Sequence, residues 1–147
     1  MFGVTTILHA TDFSEAAQQA FHVAVQLALV NQARLVLLHV QADDADDLNA
    51  IADRLRELKA QHPRLPVEIR VETGTPARAI VRTARELQAD MIVLGSRGRS
   101  GLERLLLGSV AEQVLRRAEC PVLTVSNPPR PALAPVLPLR AASLSPS

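Results

Sequence analysis

Short apolar runs and amphipathic helical stretches alternate strictly along residues 4–126, and no other feature of the chain restricts its folding so tightly. The runs VTTIL (4–8), RLVLLHV (34–40), VEIRVETG (67–74), DMIVLG (90–95) and CPVLTVS (120–126) are rich in leucine and β-branched residues and bounded by polar or turn residues, which predicts five strands. Between them Ala17, Ala20, Phe21, Ala24, Leu27 and Ala28, then Leu48, Ile51, Ala52, Leu55 and Leu58, then Ala77, Ile80, Val81, Ala84 and Leu87 follow helical spacing. Each stripe gives a helix one apolar side to lay on a sheet. Parallel neighbours need long crossovers, so strand–helix alternation predicts βαβ units: an α/β fold with one open, twisted, parallel five-stranded sheet and helices on both faces. The continuous apolar character of 36–38 and 91–94 fits strands buried on both sides.

Helix starts are also marked. Asp12 with Glu15, and Ser109 with Glu112, have the spacing of a cap and its third helical residue, and Thr75-Pro76 puts proline at a first helical position. The acids of DDADD (43–47) precede the second helix, where they suit the positive end of its dipole.

At 147 residues the chain fits one domain with a full-sized core. The expected division is a folded unit over 1–126 and a tail over 127–147 that carries six of the ten prolines and no surviving periodicity. A net charge of +1 gives no field that would draw in nucleic acid. A single cysteine, Cys120, excludes an internal disulfide framework and reads as an inert core thiol. No apolar run approaches a membrane span, and the first residues lack a signal-peptide pattern, so a cytoplasmic protein that neither enters nor docks on a membrane is expected.

The chemistry concentrates in GSRGRSGLERLLLGS (95–109), which holds four of the six glycines. In an open parallel sheet, ligands bind beyond the carboxyl ends of the strands, where neighbouring connections leave in opposite directions. Gly95 and Gly98 would let backbone N–H groups approach an anion, and Gly108-Ser109 opens a helix whose free amides favour negative charge. Arg97 and Arg99 are the nearest cations, and the leucines of 102–107 read as anchors for the loop. Other nucleotide signatures are absent: there is no GxxxxGK[ST], and the loop after the first strand, HATDFS, contains no glycine. His9 and His39 sit near adjacent strand ends, but two nitrogens make no closed metal site and a structural role is expected of both. His22 and His62 read as surface or loop residues.

With TDFSEAAQQA, LVLLHV, GTPARAIVRTA and DMIVLGSRGRSGLERLLLGSVAEQVLRRAECPVLTV in view, the chain resembles the universal stress protein family, in its ATP-binding form, over residues 4–125. The resemblance implies a sheet in order 3-2-1-4-5, adenine nucleotide held between the first and fourth strands, and homodimers joined through the last strand, here Pro121 to Val125. It places the nucleoside end on Asp12, within Ala10 and Thr11 of the same loop, and adenine beside Val40. Leu94 and Gly95 would line the nucleotide, with Arg97, Gly98, Gly108 and Ser109 around the phosphates and Val110 following. Ala10 stands where the family has proline, His9 where it has an aliphatic residue, and the 41–66 segment is compact, leaving less material over the nucleoside.

The function expected is a nucleotide-dependent stress-response regulator that binds ATP, with Mg2+, and hydrolyses it slowly if at all. Glu103 is the only carboxylate inside the loop, and no base, nucleophile and orienting group assemble around it. The alternative from another class is a dimeric interaction module of the same fold that binds no nucleotide. An adenylating ligase is disfavoured because no SGGxDS-like loop follows the first strand.

Overall fold

In a computed structural model, which describes residues 3–42, 47–96 and 108–126, the alternation becomes β1 (Thr6–Ala10), α1 (Glu15–Asn31), β2 (Arg34–Gln41), α2 (Leu48–Ala60), β3 (Val67–Thr73), α3 (Pro76–Leu87), β4 (Met91–Gly95), α4 (Ser109–Arg117) and β5 (Val122–Val125). The five strands form one parallel sheet in the order β3-β2-β1-β4-β5. The first strand begins and ends two residues later than its apolar run, because Ala10 still pairs with Leu38. The tail lies outside the described residues.

Alternation along each strand divides the core in two. Ile7, Leu35, Leu37 and Val93 face Ala20, Phe21, Ala24, Ile51 and Leu55 of α1 and α2. Leu8, Val36, Leu38, Ile92 and Leu94 face Ala77, Ile80, Val81, Ala111 and Val114 of α3 and α4. Period-two side-chain direction in strands thus supplies both faces from one sheet. The helical stripes land as expected with one exception: Leu48 is more than half exposed at the start of α2, which is held to the sheet by Ile51 and Leu55.

Two of the expected caps move. The cap of α1 is Ser14, whose side chain accepts from the Ala17 N–H at 3.2 Å, so Asp12 stands outside the helix. The cap of α4 is Gly108, with no side-chain capping bond, so Ser109 is the first helical residue. Pro76 opens α3 behind Thr75, and Asp47 caps α2 through the Asn49 N–H at 2.9 Å, as the pattern predicts.

At the amino end of the sheet the Asp90 carboxylate accepts from the N–H groups of Thr5 and Thr6 and from the Thr5 hydroxyl, tying β1 to the start of β4. These donors, the Thr5 amide foremost, hold its carboxyl below the usual range. The two sheet edges differ in chemistry. Along β3, Arg70 and Arg82 bridge Glu72 at 3.1 and 3.5 Å and Arg70 reaches Glu86 at 3.7 Å, a charged fringe that discourages strand addition. The β5 edge, VLTV, carries no charge.

Candidate functional site

From β1 the chain crosses by α1 to β2, and from β4 it crosses by α4 to β5, in opposite directions and on opposite faces of the sheet. The carboxyl ends of β1 and β4 therefore mark a topological switch point, the place where open α/β sheets form a ligand crevice.

One wall is the β1–α1 loop, over-determined by local hydrogen bonds. The Thr11 N–H donates to the Leu38 carbonyl at 2.8 Å, and the Thr11 hydroxyl accepts from the Phe13 N–H at 3.0 Å. Asp12 Oδ1 accepts from the Ser14 N–H at 3.0 Å. Asp12 is thus held by its own turn, half-buried, with only one carboxylate oxygen engaged among the described residues. The loop accommodates a left-handed conformation at Phe13, with φ 63°, unusual for a large side chain.

The other wall is built by the ends of β4 and α4. Ser96 is the junction: its N–H donates to the Val125 carbonyl at 2.8 Å, and its carbonyl accepts from the Gly108 N–H at 2.6 Å. Both ends of the glycine-rich loop therefore meet, which sets the amino end of α4 beside the end of β4. Its cap residue, Gly108, has no side chain to satisfy the first amides, which lack intrahelical acceptors, so among the described residues this end presents donors and a positive dipole end.

Between the walls, Ala10, Val40, Leu94 and Val110 belong to one apolar cluster on the α3/α4 side of the sheet. These four positions are scattered over a hundred residues of sequence, and the fold gathers them on one face of the sheet, with Val110 in the first turn of α4. An apolar wall beside a cluster of backbone donors suits a ligand with a flat apolar body and an anionic end. Arg97, Gly98, Arg99, Glu103 and the leucines of 102–107 lie outside the described residues.

Gly95 has a packing reason to be glycine that its sequence did not show. A Cβ there would stand 2.8 Å from the Ala16 carbonyl carbon and 2.9 Å from its oxygen and its Cβ, so the residue is small because α1 crosses directly over the end of β4. Anion approach is not needed to explain it.

Both strand histidines are committed to backbone. His9 Nδ1 lies 2.9 Å from the Val93 carbonyl and His39 Nδ1 lies 2.9 Å from the Thr11 carbonyl, so each of these nitrogens carries the proton. His9 is fully buried with Nε2 unpartnered, and burial pushes its pKa down to about 4 against weaker opposing effects of the Val93 carbonyl and Asp12. Among the described residues no group of three or more His, Cys, Asp or Glu could hold a metal ion. His22 and His62 both lie against the Phe21 ring, 5.7 Å between centroids, rather than standing free.

Sequence reasoning missed a stack beside the crevice. The Phe13 and His39 rings lie 5.0 Å apart at 29°, and Arg54 of α2 sits 4.0 Å above the Phe13 centroid. Phe13 inside TDFS was a visible hint; nothing local to α2 singles out Arg54.

Cys120 is half-buried rather than a core residue, at the opposite end of the sheet, in a cleft of about 330 Å³ lined also by Val81, Arg85 and Ala118. Burial, then the charge of Asp90, pushes its thiol up, which keeps it protonated and unreactive at neutral pH. No helix of the described residues is long and apolar enough to cross a membrane.

The fold is that of a doubly wound α/β protein, with its candidate site at the topological switch point. The Universal stress protein family profile matches residues 3–126, and the chain belongs to that family. A universal stress protein of Methanocaldococcus jannaschii is 46% identical over 78 residues, a match spanning 52% of this chain and 46% of that relative. A putative universal stress protein of Staphylococcus aureus strain USA300 is 32% identical over 90% of both chains. Among solved structures, a universal stress protein in complex with cAMP is 31% identical, covers 85% of this chain and 98% of its own, and superposes with a TM-score of 0.71.

Proposed function

We propose that this protein binds an adenine nucleotide, ATP with its Mg2+, in the crevice between the ends of β1 and β4, and acts as a nucleotide-dependent, cytoplasmic stress-response regulator. The observation that carries the reading is the meeting of the apolar cluster of Ala10, Val40, Leu94 and Val110 with the uncapped amino end of α4. The cluster suits the base, and the helix end suits the phosphates. Asp12, on the facing wall, has a carboxylate oxygen left to accept from a ribose hydroxyl. The cAMP complex of the 31%-identical neighbour supports an adenine ring for this fold. Turnover is not part of the reading beyond slow hydrolysis, since the described walls offer Asp12 alone and no base–nucleophile pair.

Calorimetric titration of nucleotide-free protein with Mg-ATP tests it. Binding of about −8 kcal/mol, micromolar affinity, is expected, and Gly108→Val, which puts a branched side chain at the α4 cap, abolishes it. No heat with the wild-type chain sinks the reading and leaves the interaction module.

Assembly is proposed through β5, as a homodimer. This edge strand is uncharged, with Leu123 38% exposed, whereas β3 is fenced by ion pairs. Sedimentation should give a dimer at micromolar concentration, and Leu123→Asp should shift it to monomer without unfolding it. A monomeric wild type removes this proposal and leaves the nucleotide site intact.

A further inference from the structure

We infer that Arg54, acting through the stacked rings of Phe13 and His39, is a positioning residue for the loop that carries Asp12; the inference rests on the nucleotide reading of the crevice. The chain of contacts is continuous. Arg54 comes from α2 and lies 4.0 Å over the Phe13 ring, within cation–π range. The same ring is stacked on His39, 5.0 Å away. His39 in turn donates from Nδ1 to the Thr11 carbonyl, and Thr11 Oγ1 accepts from the Phe13 N–H. Thr11, Phe13 and His39 thus form a closed circuit around the residue next to Asp12.

The circuit has work to do because the backbone it holds is unfavourable. Phe13 stands at φ 63°, a region costly for a bulky side chain, and such a conformation persists only when its surroundings impose it. Inside the sheet His39 supplies the imposing surface from below; it is 7% exposed and cannot move far. Arg54 adds a second contact on the same ring. Releasing that ring lets Phe13 relax out of its left-handed conformation, which turns the adjoining Asp12–Ser14 hydrogen bond and re-aims the carboxylate. No contact between Arg54 and the ligand is required, so the residue acts at one remove.

The route also couples the site to α2. That helix is anchored to the sheet by Ile51 and Leu55. A partner that shifts α2 moves Arg54, and through it the nucleotide-contacting loop.

Arg54 is exposed, so its replacement leaves the core intact. In nucleotide-free Arg54→Ala, hydrogen exchange of the Phe13 and Ser14 amides should speed by about threefold or more, a cation–π contact's worth, while the melting point changes little. Mg-ATP affinity should weaken by a similar factor, and Arg54→Lys, which keeps a cation over the ring, should recover most of both. Unchanged exchange at those two amides, or normal affinity despite faster exchange, overturns the positioning role while wild-type binding stands. Failure of the wild type to bind any adenine nucleotide overturns the reading of the crevice itself, and is told apart because the exchange response of Arg54→Ala is measured without ligand.

Discussion

Replacing Gly95 by alanine lowers the stability of the folded chain by about 2 kcal/mol, the usual cost of forcing a methyl group into a filled interior. The added carbon would stand 2.8–2.9 Å from the carbonyl carbon, oxygen and Cβ of Ala16, and two of those three atoms are backbone. A flexible side chain could swing aside; the first turn of α1 has to be lifted off the sheet. Gly95 has no left-handed φ, as Gly74 does, so the penalty is steric rather than conformational. Urea denaturation measures it. The companion Ala16→Gly should fail to restore stability, since it removes one close atom of three and adds about 1 kcal/mol of helix cost. A Gly95→Ala loss below about 0.5 kcal/mol, or full rescue by Ala16→Gly, would show that α1 does not press on β4 as closely as described. The same reasoning bears on nucleotide assays. Lost binding in a Gly95 variant reports a displaced helix and says nothing of a phosphate contact, which is why Gly108 is the informative position.

Between pH 6.5 and 4 the chain should lose about 3 kcal/mol of stability through His9 alone. Its folded pKa is depressed from 6.5 to about 4, chiefly by burial. A depressed histidine contributes stability that is fully present above the unfolded value of 6.5 and is lost as pH falls towards 4, because the unfolded chain takes the proton first. Within the fold the second proton has a poor place: Nδ1 already donates to the Val93 carbonyl, and Nε2 is buried with no hydrogen bond among the described residues. Protonation would leave a buried cation, and the Val93 carbonyl, the Asp12 charge and the Ala17 backbone together oppose the cost of burial only in part. Paired denaturation curves of the wild type and His9→Leu, at pH 7.5 and pH 4, isolate the effect from the carboxylates both proteins share. The difference between them should swing by about 3 kcal/mol in favour of the variant on acidification. Parallel losses in the two proteins would mean that His9 is not the acid-sensitive group.

Much of the architecture was legible because its cause is local. Strand and helix periods differ, and alternating them leaves a parallel sheet with helices on both faces as the way to bury every stripe. Crossovers and a crevice follow from that connectivity. Caps were less legible: Asp12, Ser14 and Glu15 all suit a helix start, and a three-dimensional choice among neighbouring hydrogen bonds put the cap at Ser14 and freed Asp12 for its own turn. Resemblance to a family pointed to the residues of the site, while their physical grouping into an apolar wall is a property of register between β1, β2 and β4.

What the amino-acid order determined by itself is therefore the set of elements and their faces, since each depends on residues within a few positions of one another. Tertiary structure alone decided why Gly95 must be small, why His9 must stay neutral and how Arg54 reaches Phe13. Those three depend on contacts between residues 16 and 95, 9 and 93, and 13 and 54, distant in the chain and brought together only when β1 pairs with β4 and α1 and α2 close over the sheet.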